Sequence, residues 1–395
     1  MISEKKKALY FVLLMGLVSL FSDITYEGAR SLIGQYLGLL GASAVVVSSI
    51  AGLGEFLGYT LRYLTGKLVD RTRKYWFFTI LGYTVNLLVI PSLALTKHWY
   101  AAATLIILER VGKALRKPAR DTITSFAGSH LGYGTAFAID EFLDQIGATI
   151  GPLLMSITIA QNVQLGTIDS YRKAFAFLLF PAIIALGIIF IARTLVPEPD
   201  KMEKKRSKTE NVKFDREFYV YLFAISLIAF GFADFALIGF HAQKNSILSP
   251  ALIPVAYMTA MIVDAFAGLV FGRLFDKLGI IIMALSTFIS AFYSIFTFGG
   301  TREFVFIGAI LWGVGMGANE SIMKASVAKL VSSEVRGTAY GLFNAIFGIA
   351  WFVGSAVLGL AYAVSVKYVI MISILTQMLA VILLVYIQIL EKHKV

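Results

Sequence analysis

"GTAFAIDEFLDQIGATIGP", residues 134–152, combines a long apolar run with three acidic residues. Asp140, Glu141 and Asp144 lie within five residues of one another, in surroundings apolar enough for a lipid bilayer. A charge at the centre of a membrane helix costs roughly 2.5 kcal/mol or more, so such residues must face water, protein or a bound proton. The stretch therefore predicts a membrane helix with one polar face.

The whole chain has the composition of a polytopic membrane protein. Of its 395 residues, 58% are hydrophobic and only 15% are charged, whereas a soluble domain carries about 25% charged residues. The chain has no cysteine, which excludes disulfides, thiol catalysis and cysteine-ligated zinc. Its four histidines are far apart in the sequence and give no support to a metal site. We expect no cofactor, no metal and no enzymatic activity.

Apolar stretches of about 20 residues, the length that crosses the hydrocarbon core, recur along the chain. They predict an all-α fold with twelve transmembrane helices. The first stretch follows three lysines, but it has no small-residue cleavage site and is expected to be an uncleaved span. The predicted spans are 8–29, 41–63, 75–96, 98–122, 133–160, 173–195, 217–240, 250–272, 279–299, 302–329, 336–362 and 367–390.

Lysine and arginine are distributed unevenly between the two sides of these spans. With both termini placed inside, the inner segments hold 27 of the 35 basic residues and the outer segments hold seven, while Arg110 lies mid-span. Positive charge marks the cytoplasmic side. The net charge of +11 therefore indicates topology and not nucleic-acid binding. We expect a monomer in the lipid bilayer of the cell membrane, with both termini in the cytoplasm.

An internal repeat starts within the quoted stretch. Residues 134–138 (GTAFA) recur 203 residues later as GTAYG, and at the same offset Gly151 matches Gly354. A second pair, GKLVDRTRK (66–74) and GRLFDKLG (272–279), shares the pattern Gly-basic-Leu-x-Asp-basic at a shift of 206. Two matches in corresponding places of the chain indicate a duplicated unit.

The longest polar stretch, residues 193–217, falls after the sixth span and is rich in charge. Such a composition is typical of a linker. Because six spans return the chain to its starting side, the second half has the same orientation as the first, as in parallel-repeat transporters. We predict two pseudo-symmetric six-helix bundles, 1–195 and 217–395, joined by a cytoplasmic linker, 196–216.

The repeated segments carry a resemblance to the major facilitator superfamily of transporters along the whole chain. The signature of that family between spans two and three runs Gly-x-x-x-Asp-Arg/Lys-x-Gly-Arg-Lys. Arg73 stands where the family usually has glycine, and Arg110 matches the arginine of the family's fourth span. The residues that fit the signature are Gly66, Asp70, Arg71 and Lys74.

In span five, Gly147-Ala-Thr-Ile-Gly151-Pro152 resembles the Gly-x-x-x-Gly-Pro motif of drug/proton antiporters of the superfamily, although Ala138 and Leu154 stand where further glycines are expected. Glycines at this spacing permit close helix packing, and proline permits a bend. Packing alone would explain the motif. A role specific to antiport is the alternative.

The resemblance implies a secondary transporter in which two halves rock about a central cavity. The signature segments would then act as a latch on the cytoplasmic side, capping a helix or pairing with arginine in one state and releasing in the other. Anchoring to lipid phosphates is the alternative for these segments. The latch candidates are Gly66, Asp70, Arg71 and Lys74 in the first half and Gly272, Asp276 and Lys277 in the second.

Acidic and basic residues are absent from the interiors of every third span, whereas the other spans carry them or, in span eleven, the polar Asn344. In the superfamily each third helix faces lipid, so this distribution agrees with the resemblance. The remaining spans supply our candidates for the substrate cavity and proton coupling. These are Asp23, Glu27, Arg30, Glu55, Glu109, Arg110, Lys113, Asp140, Glu141, Asp144, Gln145, Asp234, Asp264, Asn319, Glu320 and Asn344.

Several of these candidates have a structural interpretation as well as a functional one. Span four supplies basic partners for the acids of span five, so pairing between the two spans is expected. These bases recur at three or four residues and are Arg110, Lys113, Lys117 and Arg120. The acids either form an ion-pair network, with Arg110 and Lys113, or serve a substrate or a proton. Asp23, deep in span one and without an evident partner, is the better proton carrier, and Asp234 is its counterpart in span seven. The spacing of Glu27 and Arg30 suggests a gate or helix-end pair.

Carboxyl groups in a low-dielectric cavity can exchange protons near neutral pH, as coupling to a proton gradient requires. The first hypothesis is therefore proton-coupled export of a small organic or amphipathic molecule. Proton-linked uptake of an anionic metabolite is the second, with Arg110, Lys113 or Arg30 binding a carboxylate or phosphate. A non-transporting receptor on the same fold is a third.

Overall fold

The computed structural model describes residues 4–131, 133–199, 215–331 and 336–393, and within these ranges every long element is an α-helix. Residues 200–214 of the predicted linker lie outside the described part. The helices are α1 (Glu4–Leu39), α2 (Ala44–Thr72), α3 (Tyr75–Ser92), α4 (Trp99–Leu131), α5 (Tyr133–Gln161), α6 (Thr167–Phe177), α7 (Leu179–Leu195), α8 (Arg216–Gly231), α9 (Phe235–Lys244), α10 (Leu252–Leu278), α11 (Ile281–Ser290), α12 (Tyr293–Thr297), α13 (Arg302–Leu330), α14 (Arg336–Val364) and α15 (Val366–His393).

These helices confirm the twelve predicted spans. Ten helical segments of the described chain are long and apolar enough to cross a membrane. The other two predicted spans are α4, whose basic residues lower its hydropathy, and the shorter apolar segment Ile281–Thr297. Three spans are interrupted helices, namely α6 with α7, α8 with α9, and α11 with α12.

Helix ends follow local capping chemistry. Gly41, with φ of 92°, ends α1 in the left-handed conformation that glycine adopts without steric cost. Gly279, with φ of 74°, follows α10 in the same way. At the start of α13 the Thr301 side chain accepts a hydrogen bond from the Phe304 backbone N–H at 3.3 Å.

The first signature segment is mostly helical. The predicted span ends at residue 63, but α2 continues to Thr72 because no residue before Arg73 interrupts it. Gly66, Asp70 and Arg71 therefore lie on the last turns of a helix. Arg73 has φ of 52°, and its backbone N–H donates to the Val69 carbonyl at 2.7 Å. This left-handed position favours glycine, which explains the glycine of the family signature.

The chain forms two compact units. The first comprises Met1–Leu32 and Leu57–Ser207. Its core includes aromatic side chains of α1 and α3, with the rings of Phe11 and Trp76 meeting edge to face at 6.2 Å. The Trp76 indole donates to the Val196 carbonyl at 2.9 Å, which fixes the end of α7 against the start of α3.

The second unit comprises Ile33–Phe56 and Lys208–Val395. The end of α1 contacts α9 backbone to backbone, since a Cβ on Gly34 would overlap the Ala236 carbonyl. The start of α2 also packs closely on α14, since a Cβ on Gly52 would lie 2.6 Å from the Ser355 Cβ. Packing thus assigns residues 33–56 to this unit, whereas the bundle boundaries from the sequence repeat remain a prediction.

The helices expected to face lipid expose large apolar side chains. Phe180 of α7 is 67% exposed and Ile382 of α15 is 63% exposed. Similar side chains lie on α3 and α11, for example Phe77 and Phe288. Such a surface is stable only in contact with hydrocarbon, which agrees with a membrane location.

Candidate functional site

Four charged side chains of the first unit interact with one another. Asp23 interacts electrostatically with Lys113, Asp144 and Glu27, and Lys113 interacts with both Asp23 and Glu27. Asp23 and Glu27 are each only 8% exposed. The expectation that Asp23 lies without a partner is wrong, because α4 places Lys113 beside it.

Tyr26 connects this group to the conserved arginine of the family pattern. The Lys113 ammonium lies 3.5 Å from the centre of the Tyr26 ring, and the Arg110 guanidinium donates to the Tyr26 hydroxyl at 2.5 Å. Arg110 also forms an ion pair with Glu109 at 3.3 Å. Asn86 of α3 donates to the same Glu109 carboxylate at 2.6 Å. Both basic groups are thus held by protein partners.

Asp140 has a partner other than the one expected. Its carboxylate forms an ion pair with Arg120 of α4 and accepts a hydrogen bond from the Ser19 hydroxyl at 2.8 Å. Arg120 also contacts the Ser19 hydroxyl. The prediction of acid–base pairing between spans four and five is confirmed, but for Asp140 the base is Arg120 and not Arg110 or Lys113. Arg120 lies two or three helical turns further along α4 than Arg110.

The other acids of span five differ in environment. Glu141 is exposed and accepts a hydrogen bond from the Gln145 amide, one turn later, at 3.2 Å. Asp144 is half-buried and interacts with Asp23. The three acids therefore have different partners: Arg120 for Asp140, Asp23 for Asp144, and the Gln145 amide for Glu141. Glu141 also interacts electrostatically with Asp144 and Asp140.

The span-five glycines bring α5 against α1. A Cβ on Gly147 would lie 2.4 Å from the Leu20 carbonyl oxygen, and one on Gly151 would lie 2.6 Å from the Ile24 carbonyl oxygen. Real Cβ atoms do not approach so closely, so larger side chains would separate the two helices. Pro152 lies inside α5, which continues through it. Close packing therefore positions Asp23 and Asp144 on neighbouring helices.

In the second unit, Asp234 lies at a break between α8 and α9. Its carboxylate accepts a hydrogen bond from the Ala236 N–H at 2.9 Å and caps α9. The Tyr293 hydroxyl accepts from the Ala233 N–H at 2.6 Å and donates to the Gly231 carbonyl at 3.1 Å. The Trp312 indole donates to the Ala233 carbonyl at 2.9 Å. These side chains satisfy the backbone groups that the break leaves without helical partners.

An aromatic cluster surrounds this break. Phe232 lies with its ring centre 5.0 Å from Tyr293, 5.5 Å from Trp312 and 5.9 Å from Trp351. Other predicted residues of the second unit differ in burial: Asp264 and Asn319 are buried, whereas Glu55 and Asn344 are half-buried. The Glu320 side chain lies outside the described part of the chain. In the first unit, Arg30 is half-buried.

The latch candidates lie at equivalent places in both units. Asp70, Arg71 and Lys74 are exposed, as are Asp276 and Lys277. A Cβ on Gly66 would be 3.9 Å from Pro118, and one on Gly272 would be 3.9 Å from Ser321, both ordinary contacts. The latch role itself remains a prediction.

The site candidates from the sequence leave out two groups of residues. Arg120 was expected only as one of four possible basic partners on α4, since Arg110, Lys113, Lys117 and Arg120 recur at three or four residues. Its burial at 2% exposure distinguishes it from Lys117 of the same run. The aromatic side chains at the helix break carry no sequence signal, because a chain with 31 Phe and 18 Tyr has aromatic residues in every span.

Comparison with known families gives one match that covers most of the chain. The family model described as Major Facilitator Superfamily matches residues 12–355, and a second match covers residues 222–394. An uncharacterized protein of Mycobacterium tuberculosis is 36% identical over 95% of this chain and 92% of its own length. An uncharacterized MFS-type transporter of Methanocaldococcus jannaschii is 25% identical over 90% of this chain and 89% of its own length.

Solved structures show the same fold at low sequence identity. The nucleoside transporter NupG superimposes with a TM-score of 0.75 at 14% identity, over 95% of this chain and 98% of its own. A peptide transporter POT variant superimposes with a TM-score of 0.73 at 15% identity, over 98% of both chains. At this identity the similarity concerns the fold and not the substrate.

Proposed function

The chain belongs to the major facilitator superfamily and is a secondary transporter, and from this premise we propose that it exports a small amphipathic cation in exchange for protons. It is a non-enzymatic integral membrane protein that moves a small molecule. What we propose is that the substrate is a cation, that its transport is coupled to protons and that the direction of transport is outward. The observation that carries this proposal is the group of Asp23, Glu27, Lys113 and Asp144 in the first unit, of which Asp23 and Glu27 are buried.

The charge balance of this group supports competition between a proton and a cation. Asp23 interacts there with Glu27 and Asp144 and with two basic side chains, Lys113 and Arg116. Among these five side chains the acidic groups outnumber the basic groups by three to two, so either a bound proton or a monovalent cation would balance their charge. Binding both at once would leave a positive excess, so the two ligands should exclude each other.

The same geometry speaks against uptake of an anion. A substrate carboxylate or phosphate would need a basic side chain that can turn towards it. Arg110 donates to Tyr26 and pairs with Glu109, while Lys113 lies on the Tyr26 ring beside two acids. Binding an anion would require breaking these contacts and would add negative charge to a group that already has an acidic excess.

Transport by the full chain in proteoliposomes tests the proposal. An imposed pH gradient should drive movement of labelled ethidium, or of another amphipathic cation in a panel, against the proton flow. Asp23→Asn and Asp144→Asn should each abolish gradient-driven transport while cation exchange without a gradient continues. Asp169→Asn is the matched control, because Asp169 lies on the surface and pairs only locally with Arg172 at 2.9 Å.

Unchanged gradient-driven transport in both variants would overturn the assignment of the proton site. Gradient-driven accumulation of anions instead of cations, lost in Arg110→Ala, would overturn export and favour uptake. If no cation of the panel moves and none protects the protein against heat, the proposed substrate class is wrong.

A further inference from the structure

A cavity of about 310 Å³ lies in the first unit, and its lining residues are distant in the sequence from Asp23, Glu27, Lys113 and Asp144. It is formed where α2 ends, α3 begins and α7 ends. Three basic side chains line it, those of Arg73, Lys74 and Arg193, and among the residues that the structure describes the one acidic residue in its wall is Glu198. The wall therefore carries an excess of positive charge, which selects an anion.

We propose that this cavity binds the phosphate of an anionic phospholipid headgroup. Three cations converging on a small cavity match the chemistry of a phosphate, whose oxygens accept charge-assisted hydrogen bonds from guanidinium and ammonium groups. The volume is at the lower end of the range for small-molecule sites, which suits a headgroup. By the predicted topology the cavity faces the cytoplasmic leaflet, where anionic lipids attract basic residues.

The surroundings of the cavity favour a lipid over free phosphate. Trp76 forms part of the wall, and its indole N–H is already bonded to the Val196 carbonyl, so it presents an apolar ring to the ligand. Phe77 of α3, which is part of the wall, and Ile191 of α7, two residues before Arg193, are each 57% exposed. Because α3 packs on α7, these side chains offer an apolar surface on which acyl chains can lie.

The backbone at Arg73 adds a further argument. Its φ of 52° is a conformation that glycine adopts freely and arginine adopts at a steric cost. The family signature has glycine at this position, yet this chain places a long basic side chain there, in the wall of the cavity. A costly conformation that supplies a binding group is typical of a functional site.

Binding of defined lipids to the purified full chain tests the inference. In a neutral detergent, short-chain phosphatidylglycerol should raise the unfolding temperature more than phosphatidylcholine does. The double variant Arg73→Gly/Arg193→Gln should weaken phosphatidylglycerol binding about 25-fold, from about fivefold for each basic residue near a charged membrane surface. Arg73→Gly suits the left-handed backbone, so the variant is expected to fold. Inorganic phosphate at the same concentration distinguishes a free anion from a lipid.

Lys67→Gln is the matched control. Lys67 is exposed on α2, lies over the Tyr63 ring at 4.4 Å and is not part of the cavity wall. It should leave phosphatidylglycerol binding unchanged. The inference is overturned if the double variant binds the lipid as the wild type does, or if Lys67→Gln weakens binding equally. Protection by inorganic phosphate without any by phosphatidylglycerol would overturn the lipid as the ligand.

Discussion

Arg120 and Asp140 offer a test of whether a buried ion pair holds α4 and α5 together. Arg120 is 2% exposed and Asp140 is 7% exposed, and each also contacts the Ser19 hydroxyl. Removing one partner of a buried pair costs about 3–5 kcal/mol, since the other charge stays buried without compensation. We therefore expect Arg120→Met and Asp140→Leu each to lower the free energy of unfolding by that amount.

The double variant Arg120→Met/Asp140→Leu should recover most of the loss. Replacing a buried pair by apolar side chains of similar volume is often neutral or stabilising, so the double variant should be about as stable as the wild type. The coupling energy should then be about 6–10 kcal/mol, which is the sum of the two single losses. The loss of about 3–5 kcal/mol in each single variant corresponds to a fall in unfolding temperature on the order of 10 °C. Fluorescence of the four tryptophans during heating in detergent measures it without a label.

Two results would refute this reasoning. Additive losses in the single and double variants would show that the two charges do not depend on each other. Losses below about 1 kcal/mol in the single variants would show that water reaches the pair, as for surface ion pairs. The double variant also separates the two interpretations of Asp140: a stable variant that still transports makes the acid structural, and a stable variant that does not makes it functional.

Two predictions concern the break between α8 and α9. Tyr293→Phe should cost about 1–3 kcal/mol of unfolding free energy, because it leaves the buried Ala233 N–H without an acceptor. Ser373→Ala removes only a 3.3 Å contact to the same hydroxyl and should cost less. Equal losses of the two variants in thermal unfolding would contradict this. Asp234→Ala should cost about 1 kcal/mol of unfolding free energy through loss of the cap on the Ala236 N–H. Asp234→Ser should restore most of this free energy, because serine also caps a helix. A serine variant that is no more stable than the alanine variant would show that Asp234 acts by its charge.

The positions of the helices could be predicted from the sequence because apolar length is a local property. Each predicted span overlaps a helix or an interrupted pair of helices, and most errors are extensions at the ends. The extension of α2 to Thr72 shows the reason for these errors. Hydropathy reports where a helix enters the polar region, whereas the helix itself ends only where the backbone at Arg73 leaves the helical conformation.

The break after Gly231 could not be predicted, because its causes are distant in the sequence. The segment is apolar and contains no proline. The break exists where Tyr293 and Trp312, 62 and 79 residues away, satisfy the free backbone groups. The pairing of Asp140 with Arg120 likewise depends on tertiary packing. The sequence spacing places several basic residues on one face of α4, but only the packing of α4 against α5 decides which of them lies beside Asp140.

The repeat shows which of these features the fold requires. Gly151 approaches the Ile24 carbonyl, and Gly354, 203 residues later, approaches the Phe230 carbonyl, so both units need the same close helix contact. At that offset Asp140 and Asp144 correspond to Phe343 and Phe347, whose rings stack at 5.8 Å. The second unit thus has apolar side chains at the equivalent positions. The two units therefore differ in charge at these positions, and transport by the Arg120→Met/Asp140→Leu variant tests whether the charge of the first unit serves binding or stability.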